Sequence, residues 1–98
     1  MKAIFLSYNQ AHTNQVQILL DRYNIRGFTR WNTVAGRGSN DGEPHYGNHA
    51  WPGLNTAILA ITEDQKVAPF LEALRKLDES AEQQGLRAFV WTVDEQQM

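Results

Sequence analysis

Two short apolar runs, each followed by a helical pattern, constrain the fold of this chain more than any other feature. Residues 3–8 and 56–61 are apolar at nearly every position, which is typical of strands that are buried on both faces. Each run precedes apolar residues at the i, i+3, i+4, i+7 spacing of one buried helix face. These residues are Val16, Leu19, Leu20 and Tyr23 for the first helix, and Val67, Phe70, Leu71, Leu74, Leu77 and Ala81 for the second.

The starts of both helices can be assigned from polar residues. Thr13 or Asn14 is expected to cap the first helix, and Thr62 or Asp64 the second. Pro69 is compatible with the second helix only near its first turn, because the missing N–H would have no partner there anyway.

Two further strands complete the pattern. Residues 28–34 are rich in β-formers and alternate imperfectly, and residues 86–93 form another apolar run. The resulting order, β-α-β-β-α-β, predicts an α+β fold. This is a ferredoxin-like sandwich in one domain spanning residues 1–98, with a long loop between strands two and three.

One face of the predicted sheet lacks a cover. Two helices cover only one side of such a sandwich, yet the fourth strand places Phe89 and Trp91 on one face and Ala88 and Val90 on the other. The first and third strands are apolar in both directions as well. A bare apolar sheet face usually marks an interface. The sequence therefore predicts an oligomer that packs through the sheets.

Composition excludes several classes of protein. The net charge of −2 gives no general attraction to nucleic acid or to an anionic membrane, and no apolar run is long enough for a membrane helix. The N-terminus continues from Lys2 directly into a strand-like run without a signal-peptide pattern. The chain has no cysteine, so disulfides are excluded and a cytoplasmic location is expected.

The long polar segment 36–55 is the expected seat of function. It holds five of the seven glycines, two of the three histidines and two of the three prolines. A loop this long in a small domain is generally functional or disordered. Its aromatic residues and prolines can pack against the domain, which favours a functional loop over a disordered one.

Glu43, His45 and His49 supply a carboxylate and two imidazoles within seven residues. Zinc, copper and nickel accept such ligands, so the sequence predicts a transition-metal site that lacks one protein ligand. The alternative is that both histidines are polar loop residues bonded to the backbone. His12 is not expected to contribute, because parallel first and third strands would place it at the opposite sheet edge.

Two further groups of loop residues are candidates for contacts. Ligand binding at the loop base is predicted for Gly36, Arg37, Gly38 and Ser39, where the arginine could grip an anion or simply pin the loop. Anchoring of the loop, or contact with a partner, is predicted for Tyr46, Trp51 and Asn55.

These residues also carry a family likeness. The segments 31–39, 42–45 and 49–55, in a chain of this length and element order, resemble the nitrogen-regulatory PII signalling superfamily. Their loop is similar to a short subgroup associated with heavy-metal efflux genes. The resemblance implies a homotrimer with inward-facing sheets, mobile loops that contact partners, and small effectors bound in clefts between subunits. It also implies a regulated partner such as a membrane transporter.

The nucleotide-binding pattern of that family is incomplete here. The resemblance implies ATP or ADP held by loop-base glycines, which Gly36 and Gly38 match, and by a glycine-rich, lysine-containing turn before strand four. That turn, residues 80–86, has one glycine and no lysine, and acids rather than basic residues follow the strand. A phosphate site needs accessible N–H groups and cations. The sequence therefore argues against ATP sensing in the usual mode of the family.

Three functional hypotheses follow from the sequence. The first is a metal-responsive regulatory protein that signals through its loop. The second is a trimeric docking adaptor without a small ligand, and the third is an adenine-nucleotide sensor with a degenerate site. Enzymatic activity is not expected, because nothing in the sequence desolvates Asp41 or Glu43 and tunes its pKa.

Overall fold

The computed structural model describes residues 1–36, 54–80 and 85–94. Strands and helices follow one another in the predicted order, so the α+β class and the βαββαβ arrangement are confirmed. The elements are β1 (Lys2–Asn9), a short 3-10 helix (Gln10–His12), α1 (Thr13–Arg22), β2 (Phe28–Val34), β3 (Asn55–Thr62), α2 (Asp64–Glu79) and β4 (Arg87–Thr92).

The four strands form one antiparallel sheet in the order β2-β3-β1-β4. β1 is central, and its Phe5 lies opposite Leu59 of β3 and Phe89 of β4. Residues directly opposite in an antiparallel ladder share a face of the sheet. This register therefore assigns every strand residue to one of two faces.

Both helices cover the same face of the sheet. The buried residues of this layer are Ile4, Leu6 and Tyr8 of β1, Ile58 and Ala60 of β3, Val16, Leu19 and Leu20 of α1, Phe70 and Leu74 of α2, and the connecting residues Ile25 and Leu86. The rings of Tyr23 and Phe70 meet edge to face at 6.2 Å. The predicted helix stripes are therefore the core-facing stripes, with Ala81 outside the described residues.

The opposite face, which we call the open face, carries large apolar side chains that no described segment covers. Phe89 is 60% exposed, Trp31 and Trp91 are each 47% exposed, and Ile61 is 38% exposed. Phe5 and Leu59 lie between them. The bare apolar face predicted from the strand pattern is thus confirmed.

The helix boundaries differ from the prediction in detail. The N-cap residues are His12 and Glu63, and neither side chain makes a capping hydrogen bond. Pro69 is the sixth residue of α2, beyond the first turn, so its predicted placement was wrong. Pro69 is exposed, so water can solvate the carbonyl of Gln65 that a backbone N–H would otherwise bond. Among the described helices, none is long and apolar enough to cross a membrane.

Candidate functional site

Three strand ends meet where the long loop leaves and rejoins the sheet. Asn55, the first residue of β3, pairs with Asn9 of β1 and with Val34 of β2. The N–H of Gln10 donates to the carbonyl of Leu54 at 2.9 Å, which ties the chain after β1 to the returning limb of the loop. We call this region the loop end of the sheet.

The predicted orientation of β3 was wrong. β1 and β3 are antiparallel, because the crossover through α1 makes β1 and β2 run the same way and the reversal after β2 then turns β3 around. His12 follows β1 and therefore lies at the loop end, not at the opposite edge. The reason given for excluding it as a companion of His45 and His49 no longer holds.

A β-bulge in β2 shapes the loop end. Trp31 pairs with Ala57 and Val34 with Asn55, so two residues of β2 oppose the single residue Thr56 of β3. The hydroxyl of Thr56 donates to the carbonyl of Asn32 at 2.8 Å. This side-chain hydrogen bond gives the carbonyl a partner at the point where regular strand pairing is interrupted. One extra residue reverses the alternation of faces. Trp31 and Val34 therefore both point to the open face, although three positions separate them.

This shared orientation creates a cavity on the open face. Its volume is about 370 Å³, and it is lined by Phe5, Ser7, Trp31, Val34, Ala35 and Ala57. Ligand pockets in proteins typically measure roughly 300–1,000 Å³ and combine apolar and aromatic walls with a few polar groups. The cavity has this character, with two aromatic side chains and one hydroxyl.

Gly36 and Asn55 meet beside the cavity. Asn55 is 2% exposed, and its amide nitrogen lies 3.5 Å from the hydroxyl oxygen of Ser7. A Cβ built on Gly36 would lie only 2.9 Å from the same amide nitrogen. A side chain at position 36 would force the asparagine amide to move, so glycine allows a close approach of the backbone to this buried side chain. The structure thus brings together Gly36, from the predicted loop-base group, and Asn55, from the predicted anchor group.

Arg87 is a neighbour of the cavity-lining residue Ser7 that the sequence pattern did not reveal. It is directly opposite Ser7 in the β1–β4 register, and one of its guanidinium nitrogens donates to the carbonyl of Leu86 at 2.8 Å. The turn before β4 lacks lysine, and the nearest cationic side chain is Arg87, the first residue of the strand. The antiparallel register is what reveals that this position lies opposite Ser7.

A second polar cluster lies on the helix side of the loop end. The Tyr8 hydroxyl and the Nε of Arg30 are buried and make no hydrogen bond of good geometry within the described part of the chain. Burial raises the pKa of Tyr8, while Thr13 and Arg30, which lie near its hydroxyl, act in the opposite direction. Arg30 also donates to Gln17 of α1. This cluster joins β1, β2 and α1 beneath the cavity floor.

The remaining predicted site residues lie outside the described residues. They are the loop-base residues Arg37, Gly38 and Ser39, the metal-ligand candidates Glu43, His45 and His49, and the contact residues Tyr46 and Trp51. Within residues 1–36, 54–80 and 85–94, no three His, Cys, Asp or Glu side chains form a group that could hold a metal.

Comparison with known proteins gives a fold relationship and no sequence relative. No protein-family model matches the chain, and no curated protein matches it significantly. Solved structures do match. CPII from Thiomonas intermedia K12, a nitrogen regulatory PII-like protein bound to ADP, AMP and bicarbonate, is 24% identical, with a TM-score of 0.74 over 92% of this chain and 82% of that one.

Two further structures agree with this match. A complex of the same CPII with ADP and bicarbonate is 26% identical, with a TM-score of 0.69 over 92% of this chain and 82% of that chain. A PII-like signalling protein from Thermus thermophilus is 16% identical, with a TM-score of 0.66 over 92% of this chain and 83% of that chain. The resemblance predicted from the sequence is thereby confirmed, and the chain has the fold of the PII-like superfamily.

Proposed function

We propose that this chain is a PII-like signalling protein that binds an adenine nucleotide at the loop end of its sheet and reports the bound state through its loop. The observation that carries this proposal is the cavity on the open face beside Gly36. CPII, which shares the fold, is bound to ADP and AMP. A signalling role rather than catalysis is in keeping with these neighbours.

The walls of the cavity suit a nucleobase. Phe5 and Trp31 offer aromatic surface and Val34 offers aliphatic surface, and bases stack well on such side chains. Arg87, in register with Ser7, adds a cation at the edge. One described cation and the sequence position Arg37 suit a mono- or diphosphate better than a triphosphate. We therefore expect ADP or AMP to bind more tightly than ATP, which agrees with the lack of the usual ATP-binding turn.

Assembly would complete the site. The open face exposes more than half of Phe89 and nearly half of Trp91, and we propose that copies of this chain pack on it as a homotrimer. The cavity lies at the margin of that face. A neighbouring copy would then form the outer wall of the cavity, which no described residue of this chain supplies.

A second candidate effector is a transition metal. The ligands proposed from the sequence are Glu43, His45 and His49, and the antiparallel register of β1 with β3 favours adding His12 as a further imidazole. Zinc, copper or nickel would accept this set. A metal-filled loop, with Tyr46 and Trp51 as contact residues, would then signal to a membrane transporter or another regulated protein.

Native mass spectrometry of the whole chain, mixed separately with ADP, AMP, ATP, zinc and copper, tests these proposals. We expect a trimer that takes up one ADP or AMP per subunit. The Arg87→Gln variant should lose this binding, whereas Arg75→Gln, which alters an exposed arginine of α2, should keep it. Metal uptake that disappears in a His45→Ala/His49→Ala variant would support the second candidate. A trimer that binds neither class would contradict both and leave a docking adaptor.

A further inference from the structure

We infer that Asn55 is a positioning residue that couples the cavity to the base of the loop. This inference rests on the proposed effector site. Asn55 begins β3 between Asn9 of β1 and Val34 of β2, and it is almost completely buried. A buried amide must keep partners for its donors and its acceptor, so it cannot change orientation without exchanging contacts.

The first contact sets the path of the chain that leaves β2. The Nδ2 atom of Asn55 occupies the space that a side chain on Gly36 would need, at 2.9 Å from the built Cβ. The asparagine is buried within the sheet and has little room to yield. The position of this amide therefore determines how closely the loop base can approach the sheet.

The second contact is made by the same atom. Nδ2 lies 3.5 Å from the hydroxyl oxygen of Ser7, and Ser7 lines the cavity. A hydrogen bond at this length is weak, so a polar group that binds the Ser7 hydroxyl in the cavity can replace it. Any resulting shift of Nδ2 alters the space available at Gly36, because the same atom lies beside both residues.

The bulge in β2 confines this effect to the loop end. The hydroxyl of Thr56 is held on the carbonyl of Asn32, and Trp31 beyond it is back in regular pairing with Ala57. A movement of the Asn55 amide therefore has a fixed strand on one side and the start of the loop on the other. We therefore expect the movement to be passed to Gly36 rather than along the strand.

A double-mutant cycle tests the contact itself without any ligand. Gly36→Ala should lower the unfolding temperature in the wild-type background and lower it much less in the Asn55→Ala background, where the added methyl group has room. Gly27→Ala is the matched control, because its built Cβ lies 3.3 Å from the carbonyl of Ile61 at the far end of β3 and should add independently of Asn55→Ala. Equal effects of Gly36→Ala in both backgrounds would overturn the inference.

Limited proteolysis with trypsin tests the coupling. Saturating ADP should slow cleavage after Arg37 by about tenfold in the wild type, within the range usual for coupling between two sites. Asn55→Ala should still bind ADP by calorimetry, while the ratio of cleavage rates with and without ADP falls close to one. A purely structural role would change both rates together and leave this ratio unaltered.

The outcomes separate this inference from the proposed function. A wild-type chain that binds neither ADP nor AMP overturns the proposed function and the coupling together. Asn55→Ala that binds ADP and keeps the full wild-type protection overturns the coupling alone. Asn55→Ala that no longer binds ADP shows that Asn55 contacts the ligand directly, which also contradicts a positioning role.

Discussion

Phe89→Glu should dissociate the proposed trimer. Phe89 lies on β4 at the open face, opposite Phe5, and is 60% exposed in the single chain. In an assembly packed through this face the ring becomes buried. Glutamate at the same position would place a charge in the interface with no described cation directly opposite in the register.

The magnitude follows from the exposed area. A Phe side chain buries about 150–250 Å² when fully covered, so the exposed fraction corresponds to about 120 Å². At roughly 25 cal/mol per Å², removing this surface from water stabilises the assembly by about 3 kcal/mol per subunit. Loss of all three copies would weaken a trimer by about 9 kcal/mol, or more than about 10⁶-fold in its association constant. Burial of the carboxylate adds to the loss.

Sedimentation equilibrium over a range of protein concentrations measures the effect. Ile18→Glu is the matched control, because Ile18 is 56% exposed on α1, which lies on the side of the sheet opposite the open face. We expect a trimer for the wild type and for Ile18→Glu, and a folded monomer for Phe89→Glu. A Phe89→Glu variant that still sediments with the wild-type mass would refute assembly through the open face. Equal dissociation by Ile18→Glu would refute it too.

Three further predictions concern single groups. Tyr8→Phe should leave the free energy of unfolding unchanged or raise it by up to about 1–3 kcal/mol, because a buried hydroxyl without a good partner is removed. A loss of more than about 1 kcal/mol in urea unfolding would show that the hydroxyl is hydrogen-bonded. A hydrogen bond from the Met1 ammonium lowers the pKa of Asp64, so this carboxylate stabilises the fold above its unfolded pKa of about 3.9 and the contribution disappears as pH falls through the lower folded value. Asp64→Asn should accordingly flatten the acid limb of a pH–stability curve. Metal binding through His45 and His49 should weaken below about pH 6.5 in a calorimetric titration, because imidazolium is not a ligand; affinity that ignores pH between about 5 and 7.5 would exclude both histidines.

Much of the fold could be predicted from the sequence because it depends on periodic burial. β1 and β3 are nearly continuous apolar runs, and the alternation of Phe89 and Trp91 with Ala88 and Val90 already specifies two faces. Such patterns follow directly from the two-residue repeat of a strand. The open face was therefore predictable from the sequence.

The loop end was less predictable because it depends on pairing between distant strands. The predicted direction of β3 relative to β1 was wrong, and that error misplaced His12. Arg87 was missed for a related reason, since its neighbour Ser7 is 80 positions away along the chain. The close approach of Gly36 to Asn55 is likewise a contact between two limbs of a loop. The type of each residue indicated candidates for the site, but their arrangement depends on contacts between residues far apart in the sequence.

The bulge in β2 has a consequence for how this site can change over evolution. Successive side chains of a strand alternate between the two faces of the sheet, and the additional residue opposite Thr56 shifts this alternation by one position. Before the bulge the odd-numbered residues of β2, such as Trp31, point to the open face, and after it the even-numbered Val34 does so. Substitutions can alter the side chains around the cavity one at a time. Deleting a single residue at position 32 or 33 would remove the bulge and leave Val34 two positions after Trp31, still opposite Asn55 and still on the open face. The end of β2 can therefore gain or lose this one residue while both Trp31 and Val34 keep facing the cavity and the core layer stays in register.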